Sequence, residues 1–140
     1  MKSEVRSSSA TVLVTVTPDM VASLDGQLIH PLYSTFWLTY HAEVAARKAI
    51  EPYFEEGENA VGAGIALEHE AMCPVGARVT VTATVTEQRG NCILCSIVAQ
   101  TPTRVIARGT QTQIVLPASL IAEKISSSYA EHGIPLSQQP

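Results

Sequence analysis

The sequence predicts an α+β domain in which one long helix packs on a five-stranded antiparallel sheet, with a short helix after the last strand. Three observations carry that expectation. Residues 34–50 contain no Gly or Pro and are rich in Ala, as a helix interior requires. Val79, Val81, Ala83 and Val85 alternate with Thr80, Thr82, Thr84 and Thr86, the period-two pattern of a strand with one buried face. Turn-forming clusters at residues 73–76, 89–91 and 101–103 separate the later apolar runs, and connections that short join antiparallel neighbours. A single helix beside such a sheet belongs on one of its faces.

The elements follow in order. Residues 1–10 are polar and Ser-rich, and are expected to form a flexible N-terminus. TVLVTVT (11–17) alternates as a strand does, and Thr17-Pro18-Asp19 marks a short helical turn with Pro at its first position. Residues 25–33, with Gly26 and Pro31, read as a loop. Ser34 or Thr35 can cap the long helix, and Pro52 ends it. Strands are expected over 60–71, 77–88, 92–100 and 104–116. Pro117 opens a short amphipathic helix carrying Leu120, Ile121 and Ile125, and residues 127–140 form a frayed tail. The chain therefore reads as one domain over 11–126, without internal repeats.

Composition excludes more than it names. A chain of 140 residues can bury about 70% of its unfolded surface, so it needs neither disulfides nor a structural metal. Thirteen acidic residues against nine basic ones give a net charge of −4, the wrong sign for a phosphate backbone, so no nucleic-acid partner is expected. No apolar run approaches the roughly 20 residues that cross a bilayer, and Lys2 and Arg6 are not followed by an apolar signal segment. A cytoplasmic protein without a membrane partner is the expectation. Three cysteines (Cys73, Cys92, Cys95) do not form a disulfide framework. Cys92 and Cys95 are three apart on a strand, so they point to opposite faces and cannot share a metal. Zinc-helix, nucleotide-loop and nucleophile-elbow motifs are absent, and neither metal nor cofactor is expected.

Few polar residues fall on apolar stripes. Glu43 is flanked at helical spacing by Phe36, Thr39, Ala46 and Ile50. A carboxylate on that packed side would be desolvated, raising its pKa toward that of a usable base or nucleophile; a surface ion pair with Arg47 is the alternative. In AVGAGIALEHEA, alternation places His69 with Val61, Ala63, Ile65 and Leu67 toward the helix, and Gly62, Gly64, Glu68 and Glu70 on the other face. A core histidine is the competing reading of His69, and a helix cap that of Thr35. His41 reads as polar-side, His30 as an unpaired loop residue and His132 as part of the tail.

The stretch from Thr35 to Gly76, with TFWLTYHAEVAARKAIEPYFEEGE, VGAGIALEH and CPVG, resembles the small hot-dog-fold acyl-CoA thioesterases related to fluoroacetyl-CoA thioesterase. A looser likeness extends to GTQTQIVL (109–116). That resemblance implies a hot-dog fold and a catalytic set of Thr35, Glu43 and His69, with Gly62 offering a backbone N–H near the thioester. It also implies a homodimer with sites formed between subunits, acting on a small-molecule acyl-CoA, with CoA entering only as part of the substrate. Gly26 and Ile29 stand where the fluoroacetyl enzyme has lid phenylalanines, and Gln113 where it has an Arg, so fluoroacyl selectivity is not implied. The expected function is hydrolysis of a short or medium acyl-CoA to free acid and CoA. A non-catalytic hot-dog module that binds an acyl-CoA or hydrophobic ligand is the alternative. Arg78, Arg89, Arg104 and Arg108 concentrate in the later strands, where they could meet CoA phosphates or simply keep the surface soluble.

Overall fold

A computed structural model describes residues 1–140. In chain order the elements are β1 (Ser9–Thr15), β2 (Val21–Leu24), β3 (Gln27–Tyr33), α1 (Thr35–Ile50), β4 (Glu58–His69), β5 (Arg78–Arg89), β6 (Cys92–Gln100), β7 (Val105–Pro117) and α2 (Ala118–Glu131). A five-stranded sheet has the order β1-β5-β6-β7-β4, and β2 and β3 form a separate hairpin. Every pairing in the large sheet is antiparallel.

The sheet buries one face against α1. Along β5 the odd residues Val79, Val81, Ala83 and Val85 are buried, while the Thr residues between them are half-buried or exposed. On the helix, Leu38, Ala42, Ala45, Ala46, Ala49 and Ile50 form the buried stripe. Its alanines let the helix lie close to the strands, while Leu38 and Ile50, both 0% exposed, each contribute on the order of 1.5–3 kcal/mol. Cys95 is buried and Cys92 only partly so, on opposite faces of β6, and all three cysteines are free thiols.

Several boundaries and positions differ from the sequence reading. Residues 25–33 are not a loop. Asp25 and Gly26 both take positive φ, 52° and 73°, the two-residue turn that joins β2 to β3 as a tight hairpin. β4 does not pair with β5, its neighbour in sequence; it crosses to the far edge and pairs with β7. Residues 70–77 can span that distance, because eight extended residues reach about 26 Å and three strand spacings need only about 15 Å. The N-terminal ten residues are not loose either. Val5 is fully buried, the Ser8 hydroxyl donates to the Ala49 carbonyl at 2.8 Å, and the Lys2 N–H donates to the Tyr53 carbonyl at 2.9 Å. One apolar side chain in a polar stretch suffices to pin it over the end of α1. Finally, α2 continues to Glu131, past the expected end near Ser126.

Candidate active site

The first turn of α1 is capped by Ser34, whose hydroxyl accepts from the Trp37 N–H at 3.1 Å. Ser34 therefore satisfies an orphan amide of the helix, and the adjacent Thr35 hydroxyl is left for other work. It lies 2.9 Å from His69 Nδ1. His69 closes β4, half-buried. Burial holds its pKa below the ordinary histidine value, so the neutral imidazole is the form present near pH 7. Its other nitrogen, Nε2, is buried without a partner. An open cavity of about 300 Å³ adjoins the pair, lined among others by His30, Tyr33 and Met72. His30, read from sequence as unpaired, thus shares a cavity with His69, brought there by the hairpin.

Glu43 sits two turns further along α1, against Gly62 of β4: its Oε1 lies 2.6 Å from the point a Cβ on residue 62 would occupy. That contact depends on a bulge. The β4–β7 register steps from Gly62↔Gln113 to Gly64↔Thr112, leaving Ala63 unpaired. An inserted residue switches the face to which the strand's side chains point. Gly62 consequently shares the helix-side face with Ile65, Leu67 and His69, paired across to the buried Gln113, Gln111 and Ala107 and the half-buried Gly109. Simple alternation had placed Gly62 on the opposite face from His69; the bulge corrects it.

The surroundings of Glu43 also differ from expectation. It is exposed in the single chain, although it borders the buried stripe. The reason is topological: β4 is an edge strand, most of its residues are exposed on both faces, and nothing lies beyond it to close over the carboxylate. Tyr40, Arg47, Lys48, Gly62 and Gln113 line a cavity of about 360 Å³ around Glu43. Arg47 does not pair with Glu43; it bridges to Glu51 at 3.2 Å and to the Ala60 carbonyl.

The site residues therefore fall into two clusters, Thr35 with His69 and Glu43 with Gly62. Eight helical residues separate Thr35 from Glu43, a rise of about 12 Å, too far for both to touch one small reacting group within a single chain. The structure brings each pair together, but not the two pairs.

Two further side chains stand out. His41, read from sequence as solvent-facing, is buried. Its Nδ1 lies 2.6 Å from the Tyr33 hydroxyl, and the rings of Tyr33, Trp37 and Tyr40 surround it. Those aromatic neighbours shield it as well as aliphatic ones would. Gln111 and Gln113 form a buried pair for which the signal is QTQ within an alternating strand, placing both on the face of the buried Val115; they are 2% and 3% exposed.

The arginines do not converge. Arg78 and Arg89 occupy opposite ends of β5, Arg89 pairs with Glu87, and Arg108 lies 3.6 Å from Glu70. No cluster of three or more His, Cys, Asp or Glu side chains could hold a metal ion, and no helix is long and apolar enough to cross a membrane.

An antiparallel sheet of this strand order, laid against one long central helix, defines a hot-dog domain of the thioesterase class. The model of the fluoroacetyl-CoA-specific thioesterase family (FlK) matches residues 16–119, and the chain belongs to that family. A hypothetical protein of Thermus thermophilus, described as a thioesterase superfamily member, is 28% identical with a TM-score of 0.87, over 91% of this chain and 95% of that one. The fluoroacetyl-CoA thioesterase FlK itself is similar at 24% identity and a TM-score of 0.78, over 87% and 95%. A hot-dog-like protein from Thermanaerovibrio acidaminovorans follows at 21% and 0.81, over 90% and 95%; these last two likenesses concern the fold. No curated protein matches the chain. The protein is a thioester hydrolase, with acyl-CoA thioesterase activity as the general class.

Proposed function

We propose that the protein hydrolyses a short or medium acyl-CoA, with Thr35, Glu43 and His69 as its catalytic residues. The carrying observation is the Thr35–His69 bond at 2.9 Å beside an unpartnered His69 Nε2. A neutral imidazole oriented through one nitrogen and free at the other is a ready proton carrier. Glu43 acts at the thioester carbonyl carbon, by direct attack or by taking a proton from an attacking water. The carbonyl oxygen gathers negative charge, which a backbone N–H at Gly62 stabilises. Collapse breaks the C–S bond and expels the CoA thiolate; His69, neutral at rest, takes up the proton that the attacking water gives up and passes it to that thiolate. Addition of water yields the free acid and CoA.

A homodimer joins the two clusters. β4 leaves a sheet edge open, and Val61 and Ile65 on it are 39% and 38% exposed, an edge that a second copy can pair with and cover. Residues 62 and 69 are symmetric about a point between 65 and 66. An antiparallel pairing of two β4 strands about that point sets Gly62 and Glu43 of one copy opposite Thr35 and His69 of the other. The dimer also excludes water from Glu43, supplying the desolvation that the single chain lacks. The three free thiols suit a reducing, cytoplasmic setting. Gly26 forms the hairpin turn and Ile29 follows it, so the phenylalanine lid of a fluoroacetyl-selective enzyme is not carried over.

Thiol release from a panel of acyl-CoAs by the wild type, Glu43→Ala and His69→Ala tests this reading. Each substitution is expected to cost on the order of 10²-fold in turnover. Hydrolysis unaffected by both changes would overturn the assigned site, and binding without turnover across the panel would favour a carrier.

A further inference from the structure

Beneath Glu43 the sheet carries two buried amides where the strand pattern calls for apolar side chains. Gln111 and Gln113 are 2% and 3% exposed, and their cross-strand partners on β6 are the fully buried Cys95 and Ile93. On the other side they meet Ile65 and Gly62 of β4. Gln111 Oε1 and Gln113 Nε2 are buried with no hydrogen-bond partner. An unmade bond on a buried amide is costly, whereas an apolar side chain of the same shape would carry no such cost.

Both amides belong to the Glu43 cluster. Gln113 lines the cavity around the carboxylate. Gln111 Nε2 and Glu43 Oε1 lie 3.8 and 2.6 Å from the same empty point, the one a side chain on residue 62 would fill. A group held at this floor therefore lies beside the Glu43 carboxylate, so a polar group close to the thioester carbonyl is the part of the acyl chain that would meet it. Gln111 Oε1 asks for a donor and Gln113 Nε2 for an acceptor. An alkyl chain supplies neither, and a carbonyl or carboxylate supplies only the acceptor. A hydroxyl supplies both, and does so equally if both amides are turned round.

We infer that Gln111 and Gln113 form an acyl subsite selecting acyl-CoAs that bear a hydroxyl on C2 or C3. The inference rests on the thioesterase reading and narrows its substrate class. The hydroxyl donates to Gln111 Oε1 and accepts from Gln113 Nε2, which holds the acyl chain in register with Glu43 and Gly62.

The test compares kcat/KM for butyryl-CoA, 2-hydroxybutyryl-CoA and 3-hydroxybutyryl-CoA in the full-length wild type, Gln111→Met and Gln113→Met. Methionine keeps the length of the side chain without its amide, and melting curves check that both variants fold. The readout is the ratio of a hydroxylated substrate to butyryl-CoA, in which any general loss cancels. For at least one isomer the wild-type ratio is expected at about tenfold or more, falling toward one in each variant. A wild-type ratio of one or below for both isomers, or a ratio retained in both variants, overturns the inference while leaving thioesterase activity standing. Should no thioester be hydrolysed, the reading of the site as catalytic fails, and binding of the free acids then decides the subsite. A rise in melting temperature with 2- or 3-hydroxybutyrate but not butyrate, lost in both variants, supports it; no such difference overturns it.

Discussion

Glu43 reaches β4 only because residue 62 has no side chain: the carboxylate oxygen lies 2.6 Å from where a Cβ at Gly62 would stand, closer than any real Cβ contact permits. The two residues come from different elements, and the bulge at Ala63 turns Gly62 toward the helix. Glycine here provides space for a functional group; its φ is not in the left-handed region.

Gly62→Ala is accordingly expected to separate stability from activity. The atom in the way is the far end of a flexible side chain, so Glu43 swings aside and the fold persists, with stability changed by less than about 1 kcal/mol. A carboxylate displaced by an ångström or more should lower kcat by roughly 10²-fold. Paired melting curves and acyl-CoA turnover check this; an active Gly62→Ala would place the working carboxylate elsewhere.

The buried His41 makes stability depend on pH. Burial lowers its pKa below the ordinary value of 6.5, and burial raises that of Tyr33, so the neutral phenol donates to a neutral imidazole. Below pH 6.5 the unfolded chain binds a proton that the folded chain refuses, and stability falls as pH drops from 6.5 toward the folded pKa. Above pH 6.5 this contribution is fully present. His69, shifted in the same direction for the same leading cause, adds to the slope. Denaturant melts between pH 5 and 8 should show the loss, with a shallower slope in His41→Phe. Tyr33→Phe, which leaves Nδ1 unpaired in a buried position, is expected to cost about 1–3 kcal/mol at neutral pH.

Local periodicity made the helix and the strands readable. The Val/Thr alternation of 79–86 and the Ala-rich stretch ending before Pro52 needed no tertiary information. The hairpin is hard to read although Asp25-Gly26 is a strong two-residue turn signal, because its flanks VASL and QLIHPLY do not alternate. Nothing local encodes which edge of the sheet β4 takes, yet that choice decides whether Glu43 is open or enclosed. Spacing put Glu43 on the packed side of the helix, whereas it lies exposed at the margin of the buried stripe, because spacing cannot foresee the open edge. The bulge is a single unpaired residue, invisible to a period-two reading, and it reverses the face of Gly62. Helical position puts His41 with Lys48 on the polar side, because the ring that receives it, Tyr33, comes from the β2–β3 hairpin, which that spacing does not contain.

At Gly109, β7 comes close to β4. A Cβ there would lie 2.0 Å from the Ala66 carbonyl oxygen and 2.7 Å from a methyl carbon of Leu67. The obstacle is backbone, which cannot step aside as Glu43 can. Gly109→Ala should therefore force the two strands apart and cost about 1–3 kcal/mol or more, measured by chemical denaturation. The contrast with Gly62→Ala separates a glycine needed for packing from one needed for the site.

The division of the site into two clusters makes a quantitative prediction for mixed dimers. Glu43→Ala retains Thr35 and His69, and His69→Ala retains Glu43 and Gly62. If each active site draws Glu43 from one copy and His69 from the other, a heterodimer of the two variants holds one intact site and one doubly defective site. Random reassortment makes half of all dimers heterodimers, so a mixture of two nearly inactive preparations should recover about one quarter of wild-type turnover per chain. Sites complete within a single chain would recover nothing. The assay needs the two variants refolded together as well as merely mixed, because a dimer that exchanges slowly would otherwise hide the recovery; activity at the level of the separate variants after joint refolding would refute the shared site.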